Sequence, residues 1–295
     1  MSTPGVVNVY KEKGYTSSDV VSIVRKLLNS KAGHVGTLDP QATGVLPVCI
    51  GSATKTSDYI SGNKRYRAEL KLGVTTDTDD LTGKVLTESP VEACLEELKA
   101  AVQGFLGETQ QIPPMYSAIK IGGKKLYELA RAGKTVERAP RIVNISQIDV
   151  LEYNHDTCTA VIDVSCSKGT YIRSLCADIG RVLNCGGCMG ELIRTQSGPF
   201  HITDSIKLER LKDYVNENRI SDILIRTEDI LPYQIVDVPL YLEKRIINGN
   251  PVSVDKCEAR SDIQEGELAF LRLSGKISGL YVRDGEDFVL RVMLG

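Results

Sequence analysis

Val20, Val21, Val24, Leu27 and Leu28 recur with the spacing of one helix face, so GYTSSDVVSIVRKLLNS predicts an amphipathic helix of about three turns. Ser17 or Ser18 is its expected N-cap, with Asp19 near the positive end of the dipole. The period changes on either side. Val6–Tyr10 reads as a short strand, and the unbroken apolar run Val45–Ile50 suits a buried one. KRYRAELKL, Lys64 to Leu72, alternates loosely and predicts a strand; TTDTDDLTG at 75–83 is a polar turn, and 91–104 returns to helical spacing. Strands are predicted at Ile142–Leu151, at Thr159–Cys166 and within 185–197. Between the last two, CSKGTYIRSLCADIGRVL switches to a helix through Ile172, Leu175, Ile179, Val182 and Leu183, which sets Tyr171 and Arg173 at a strand-to-helix junction. A polar helix near 205–217 leads to Ile230-Leu231-Pro232, the expected domain boundary. Beyond it glycines separate short apolar runs such as ELAFLRL and FVLRVML, the pattern of a small β-rich module.

Three interruptions of this pattern carry candidate chemistry. GHVGTLDPQATGVL, residues 33–46, holds one acid, Asp39. Gly36 and Gly44 permit backbone angles that a Cβ resists, and Pro40 fixes its own φ and turns Asp39 out of the helical region. Such a loop can aim a carboxylate, although Asp-Pro is by itself ordinary turn chemistry. Tyr66 stands among Lys64, Arg65 and Arg67, which suits either a half-buried strand aromatic or a platform for a base. Residues 117–141 carry Lys120, Lys124, Lys125, Arg131, Lys134, Arg138 and Arg141 against only Glu128 and Glu137. A Gly122-Gly123 turn and a short helix over Leu126–Arg131 make this stretch a basic, hairpin-like excursion.

A chain of 295 residues exceeds one typical domain, and 42% hydrophobic content is enough to build a core. The net charge of −2 argues against a bulk polyanion binder, so any contact with nucleic acid has to come from the local patch. No apolar run approaches the roughly 20 residues that span a bilayer, and MSTPGVVNVYKEKG lacks the core of a signal peptide, so a cytoplasmic protein without membrane contact is expected. The eight cysteines are expected to be reduced thiols. Cys185-Gly186-Gly187-Cys188 has redox or zinc spacing, but no second Cys/His pair lies nearby, and no metal is expected.

The strings GYTSSDVV (14–21), KAGHVGTLDPQATGVLPVCIGSATK (31–55), KRYRAELKLGVTTDTDD (64–80), PPMYSAIKIGGKKLYELARAG (113–133) and SKGTYIRSL (167–175), in this order, resemble the pseudouridine synthases of the TruB type. The resemblance spans nearly the whole chain. It implies an α/β (α+β) fold: a catalytic domain over 1–230, with a mixed, mainly antiparallel sheet flanked by helices and an RNA-gripping insertion at about 105–140, followed by a β-rich PUA-like RNA-binding domain over 231–295. It also implies isomerisation of the uridine at conventional position 55 in the TΨC loop of tRNA, with Asp39 as the catalytic carboxylate, Tyr66 against the target base and Arg173 paired with the aspartate. His34 is associated with opening the RNA loop and Tyr171 with the pocket. Gly36, Lys64, Arg67, Lys120, Lys124 and Lys125 are the remaining expected RNA contacts. Two departures stand out: Lys11-Glu12 where members often have Lys-Pro, and a thin basic run, Lys31 alone, before Gly33-His34.

The reaction breaks the C1′–N1 bond of uridine, turns the uracil and forms C1′–C5. Substrate and product are isomers, so no cofactor is expected; a carboxylate near ribose and base and a closed pocket suffice. Base extrusion calls for an aromatic face, and a carboxylate held away from water calls for a cation that keeps it charged. A monomer acting on the tRNA stem-loop with no obligate protein partner is expected. The alternatives are a tRNA-binding or folding protein without chemistry, and a guide-RNA-dependent synthase of a ribonucleoprotein.

Overall fold

The computed structural model describes residues 4–117, 119–257 and 263–295, and the backbone alone of Arg131. The chain gathers into two compact units. One comprises Met1–Pro40, Val45–Ser61 and Thr203–Gly295, the other Gln41–Gly44 and Gly62–Ile202.

The first unit begins with strand β1 (Gly5–Lys11), helix α1 (Ser17–Leu28), strand β2 (Ala32–His34), the part of strand β3 (Thr43–Ile50) from Val45 onward, and the single-turn helix α2 (Ser57–Ile60). β1 lies beside β3, and β2 pairs antiparallel with it at Ala32↔Ile50, Gly33↔Cys49 and His34↔Val48. The N-cap of α1 is Thr16 rather than Ser17 or Ser18. Its backbone is extended, its hydroxyl accepts from the Asp19 N–H at 3.0 Å, and the Asp19 carboxylate accepts from the Thr16 N–H at 2.8 Å, closing a capping box. Val20 and Val24 of α1 pack with Val7, Val9, Leu46 and Val48.

The second unit carries β4 (Lys64–Leu72), β5 (Val74–Thr76), β6 (Val85–Glu88), α3 (Leu95–Gln103), β7 (Gly107–Gln111), β8 (Lys120–Ile121), β9 (Lys124–Lys125), α4 (Leu126–Arg131), β10 (Arg141–Asn154), β11 (Thr159–Cys166), α5 (Ile172–Val182), β12 (Gly187–Ser197) and β13 (Phe200–His201). Its sheet runs β12-β4-β11-β10-β7 with antiparallel neighbours, and Thr43 and Gly44 lie parallel to Ile193 and Arg194, which makes the sheet mixed. Helix α5 packs on β12 and β4, burying Ile172, Leu175, Cys176 and Ile179. β5 with β6 and β8 with β9 form separate two-stranded ribbons.

The first unit resumes with α6 (Leu208–Asn216), α7 (Thr227–Ile230), β14 (Gln234–Val238), α8 (Glu243–Ile247), β15 (Val252–Ser253), β16 (Leu268–Leu273), β17 (Lys276–Asp284) and β18 (Asp287–Met293). Leu208 and Leu211 of α6 join the core of β1, α1 and β3. The last five strands form their own sheet, ordered β14-β16-β17-β18-β15, around Val236, Ile246, Val252, Leu271, Tyr281 and Phe288. The fold is the expected one: a mixed, mainly antiparallel sheet with helices and a separate β-rich C-terminal sheet. Among the described residues no helix is long and apolar enough to cross a membrane.

Candidate active site

In the first unit the segment between β2 and β3 is held on both sides of Asp39. Ser17, relieved of capping by Thr16, is buried, and its hydroxyl accepts from the Leu38 N–H at 2.9 Å and donates to the Leu38 carbonyl at 3.0 Å. The Pro40 carbonyl accepts from the Gly14 N–H at 2.9 Å and from the Lys11 ammonium at 3.1 Å. Lys11 is wholly buried and donates also to the Tyr15 carbonyl at 2.6 Å. Residues 38 and 40 are thus tied to the 11–17 segment, and Asp39 stands half-buried between them. Gly36 has φ of 75°, the left-handed region that its lack of a Cβ makes accessible. His34 is half-buried on β2, opposite Val48.

In the second unit the alternation of β4 sorts the predicted cations. Lys64, Tyr66, Ala68, Leu70 and Leu72 share the buried face; Arg65 and Arg67 take the other. Arg65 donates to the Asp163 carboxylate at 2.8 Å, and Arg67 is exposed. The Lys64 ammonium donates to the Gly62 carbonyl at 2.5 Å, and burial, helped by nearby Arg194, pulls its pKa down to about 8. The Tyr66 phenol oxygen accepts a hydrogen bond from Arg194, its cross-strand partner on β12.

Tyr171 and Arg173 sit at the start of α5. The Gln111 side chain fixes the Tyr171 backbone twice, accepting from its N–H at 2.7 Å and donating to its carbonyl at 2.9 Å. The Arg173 guanidinium is buried; it donates to the Tyr116 carbonyl at 2.8 Å and lies 3.9 Å from the Asp80 carboxylate. Asp80 accepts from the Thr78 hydroxyl and the Thr82 N–H, each at 2.9 Å, which orders the turn predicted at 75–83. Burial pushes the neighbouring Asp79 carboxyl up, and Arg173 opposes that shift.

The insertion presents Lys120 and Lys124 to solvent. Lys125, directly across the ribbon from Lys120, lies 5.4 Å over the Tyr127 ring. Arg138 donates to the Pro113 carbonyl at 3.2 Å, so part of the basic stretch works internally. A cavity of about 580 Å³ opens among Thr78, Asp79, Tyr116, Arg138, Ser174 and Arg181; neither Tyr66 nor Arg173 lines it. Cys185 and Cys188 are buried free thiols, Cys188 pushed up to about 11 by burial, and among the described residues no group of His, Cys, Asp and Glu could hold a metal ion.

Against known families, residues 25–172 match the model for the TruB family pseudouridylate synthase N-terminal domain, and residues 173–232 that for the tRNA pseudouridylate synthase B C-terminal domain. The chain belongs to the TruB family of pseudouridine synthases. It is therefore an enzyme, an isomerase. A TruB-family protein of Alkaliphilus oremlandii named tRNA pseudouridine synthase B is 49% identical over 84% of this chain and 82% of its own length. One of the same name from Clostridium tetani is 45% identical over 98% and 99%. Among solved structures, a Cbf5-Nop10-Gar1 complex matches with a TM-score of 0.74 and 27% identity over 99% of this chain and 85% of the matched one.

Ser17 and Lys11 in the first unit, and Asp80 and Arg194 in the second, are neighbours of the candidate residues that pattern reasoning on the TruB-type strings passes over. Ser17 reads as a cap, Lys11 as the residue just past a strand, Asp80 as one of several turn acids and Arg194 as a strand residue before a turn. In the structure Arg194 is buried on β12 with Leu192 two residues before it.

Proposed function

We propose that this enzyme isomerises uridine 55 in the TΨC loop of tRNA to pseudouridine without a cofactor, with Asp39 as the carboxylate that acts on a flipped-out uridine. The observation that carries the reading is the double brace on Asp39. Backbone fixed at Leu38 and at Pro40 gives the Asp39 side chain a fixed origin, part of the preorganisation that attack on a ribose or a uracil ring needs. The name borne by relatives at 49% and 45% identity supports tRNA as the substrate, and those identities against 27% for the Cbf5 complex favour a stand-alone enzyme over a guide-dependent one.

In this reading Tyr66 offers its ring to the extruded base, Arg173 pairs with the catalytic carboxylate, Tyr171 lines the pocket and His34 takes the space the base leaves. Lys64 and Arg67 serve the RNA from opposite faces of β4. Lys120, Lys124 and Lys125 grip the phosphates: two lysines facing each other across a ribbon repel, and a polyanion relieves that repulsion. The sheet within 231–295 is read as a PUA-like module that adds RNA contact.

The test is a TΨC stem-loop carrying 5-tritiated uridine, with no other protein present. The unsubstituted chain is expected to release tritium, while Asp39→Asn binds the RNA and releases none. Full release by Asp39→Asn would remove Asp39 from the chemistry; no release by the unsubstituted chain would favour a partner-dependent enzyme.

A further inference from the structure

Arg194 heads the fully buried side chains by volume, at 1% exposure. A guanidinium away from water is costly unless its donors are used, so a buried arginine marks a place where the fold commits it to partners. Here β12 sets it directly opposite Tyr66, itself 9% exposed, and the guanidinium donates to the phenol oxygen. Its main chain is confined from the other side as well. Thr43 and Gly44 run parallel to Ile193 and Arg194, Gly44 at φ of 103°, and a Cβ on Gly44 would stand 2.2 Å from the Arg194 carbonyl oxygen. The approach is open to glycine alone.

A strand clamped between β4 and the Gly44 backbone gives its arginine a fixed origin, so the phenol oxygen it holds is fixed too. A phenol has one proton. When its oxygen accepts from a guanidinium, the O–H is turned away from that cation within the ring plane.

We propose that Arg194 is a positioning residue for the isomerisation, acting on the uracil only through Tyr66: it sets where the phenol stands and which way its O–H points. The proposal rests on the reading above, in which Tyr66 meets the target base. Arg194 itself touches no reacting atom.

The experiment compares single-turnover tritium release with RNA affinity by filter binding, in the full chain. Arg194→Met is expected to bind the stem-loop within about twofold of the parent and to release tritium about tenfold more slowly, the order of one charge-assisted hydrogen bond. Arg194→Lys keeps a donor near the phenol and is expected to recover part of that rate. In a Tyr66→Phe chain, which has no phenol oxygen, the same Arg-to-Lys exchange is expected to change the rate by no more than about twofold, because the two side chains act as one unit. If Arg194→Met does not fold, the lysine comparison in the two backgrounds decides. The proposal is overturned if Arg194→Lys costs the same factor with and without the Tyr66 hydroxyl, or if RNA affinity falls in step with rate. Asp39→Asn run alongside separates the two readings. Release by that variant sinks the catalytic assignment of Asp39, whereas its silence together with independent effects at Arg194 and Tyr66 sinks only the role given to Arg194.

Discussion

Removing the Ser17 hydroxyl takes two hydrogen bonds from the backbone on one side of Asp39 and leaves the Thr16–Asp19 capping box intact. Ser17→Ala is therefore expected to lower stability by about 1–3 kcal/mol in urea unfolding and, with Asp39 as the proposed carboxylate, to reduce kcat with little change in KM, since the brace acts on the candidate catalytic loop. A variant that lost stability with kcat intact would make Ser17 a fold residue only. The sequence names Ser17 as a helix cap because capping is local chemistry. The pairing with Leu38 is not legible there, because it depends on the 38–40 turn being carried back over the start of α1. Arg194 is obscured for the same reason: its partner lies on another strand, and register between strands is a tertiary fact.

The ribbon β8–β9 is the element whose charge is most exposed to test. Replacing Lys120, Lys124 and Lys125 with glutamate is expected to weaken RNA binding and flatten its dependence on salt, because every phosphate left unneutralised takes about one released counterion out of the slope. An unchanged slope in a filter-binding titration would take the ribbon out of the interface. Elements with strong periodicity were legible to the residue: β4 spans Lys64–Leu72 and β11 spans Thr159–Cys166, as alternation and apolar runs predict. β6 was not. All four of its residues are exposed, so no burial pattern marks Val85–Glu88 as a strand, and only its pairing with β5 makes it one.

Across the whole molecule, the candidate catalytic loop is supported by chain from far along the sequence. Tyr10 donates its N–H to the Ile206 carbonyl at 2.8 Å, Ile225 and Val6 exchange backbone bonds, and Leu208 and Leu211 fill the core behind β1 and α1. A fragment ending at residue 202 keeps every candidate site residue yet loses that cover, each leucine contributing about 1.5–3 kcal/mol. It is expected to be cut readily in limited proteolysis and to release no tritium; a fully active fragment would show that the loop stands without α6. Composition and motif order revealed the two kinds of architecture, whereas the return of residues after 202 to the N-terminal core is carried by no local signal. The buried ammonium of Lys11 has one more consequence. An amine with no access to solvent is closed to acylating reagents for as long as it holds the Pro40 carbonyl, so its labelling is a clock for the opening of the loop. The lysine that steadies Asp39 also reports, by its own chemistry, each moment at which Asp39 is no longer steadied.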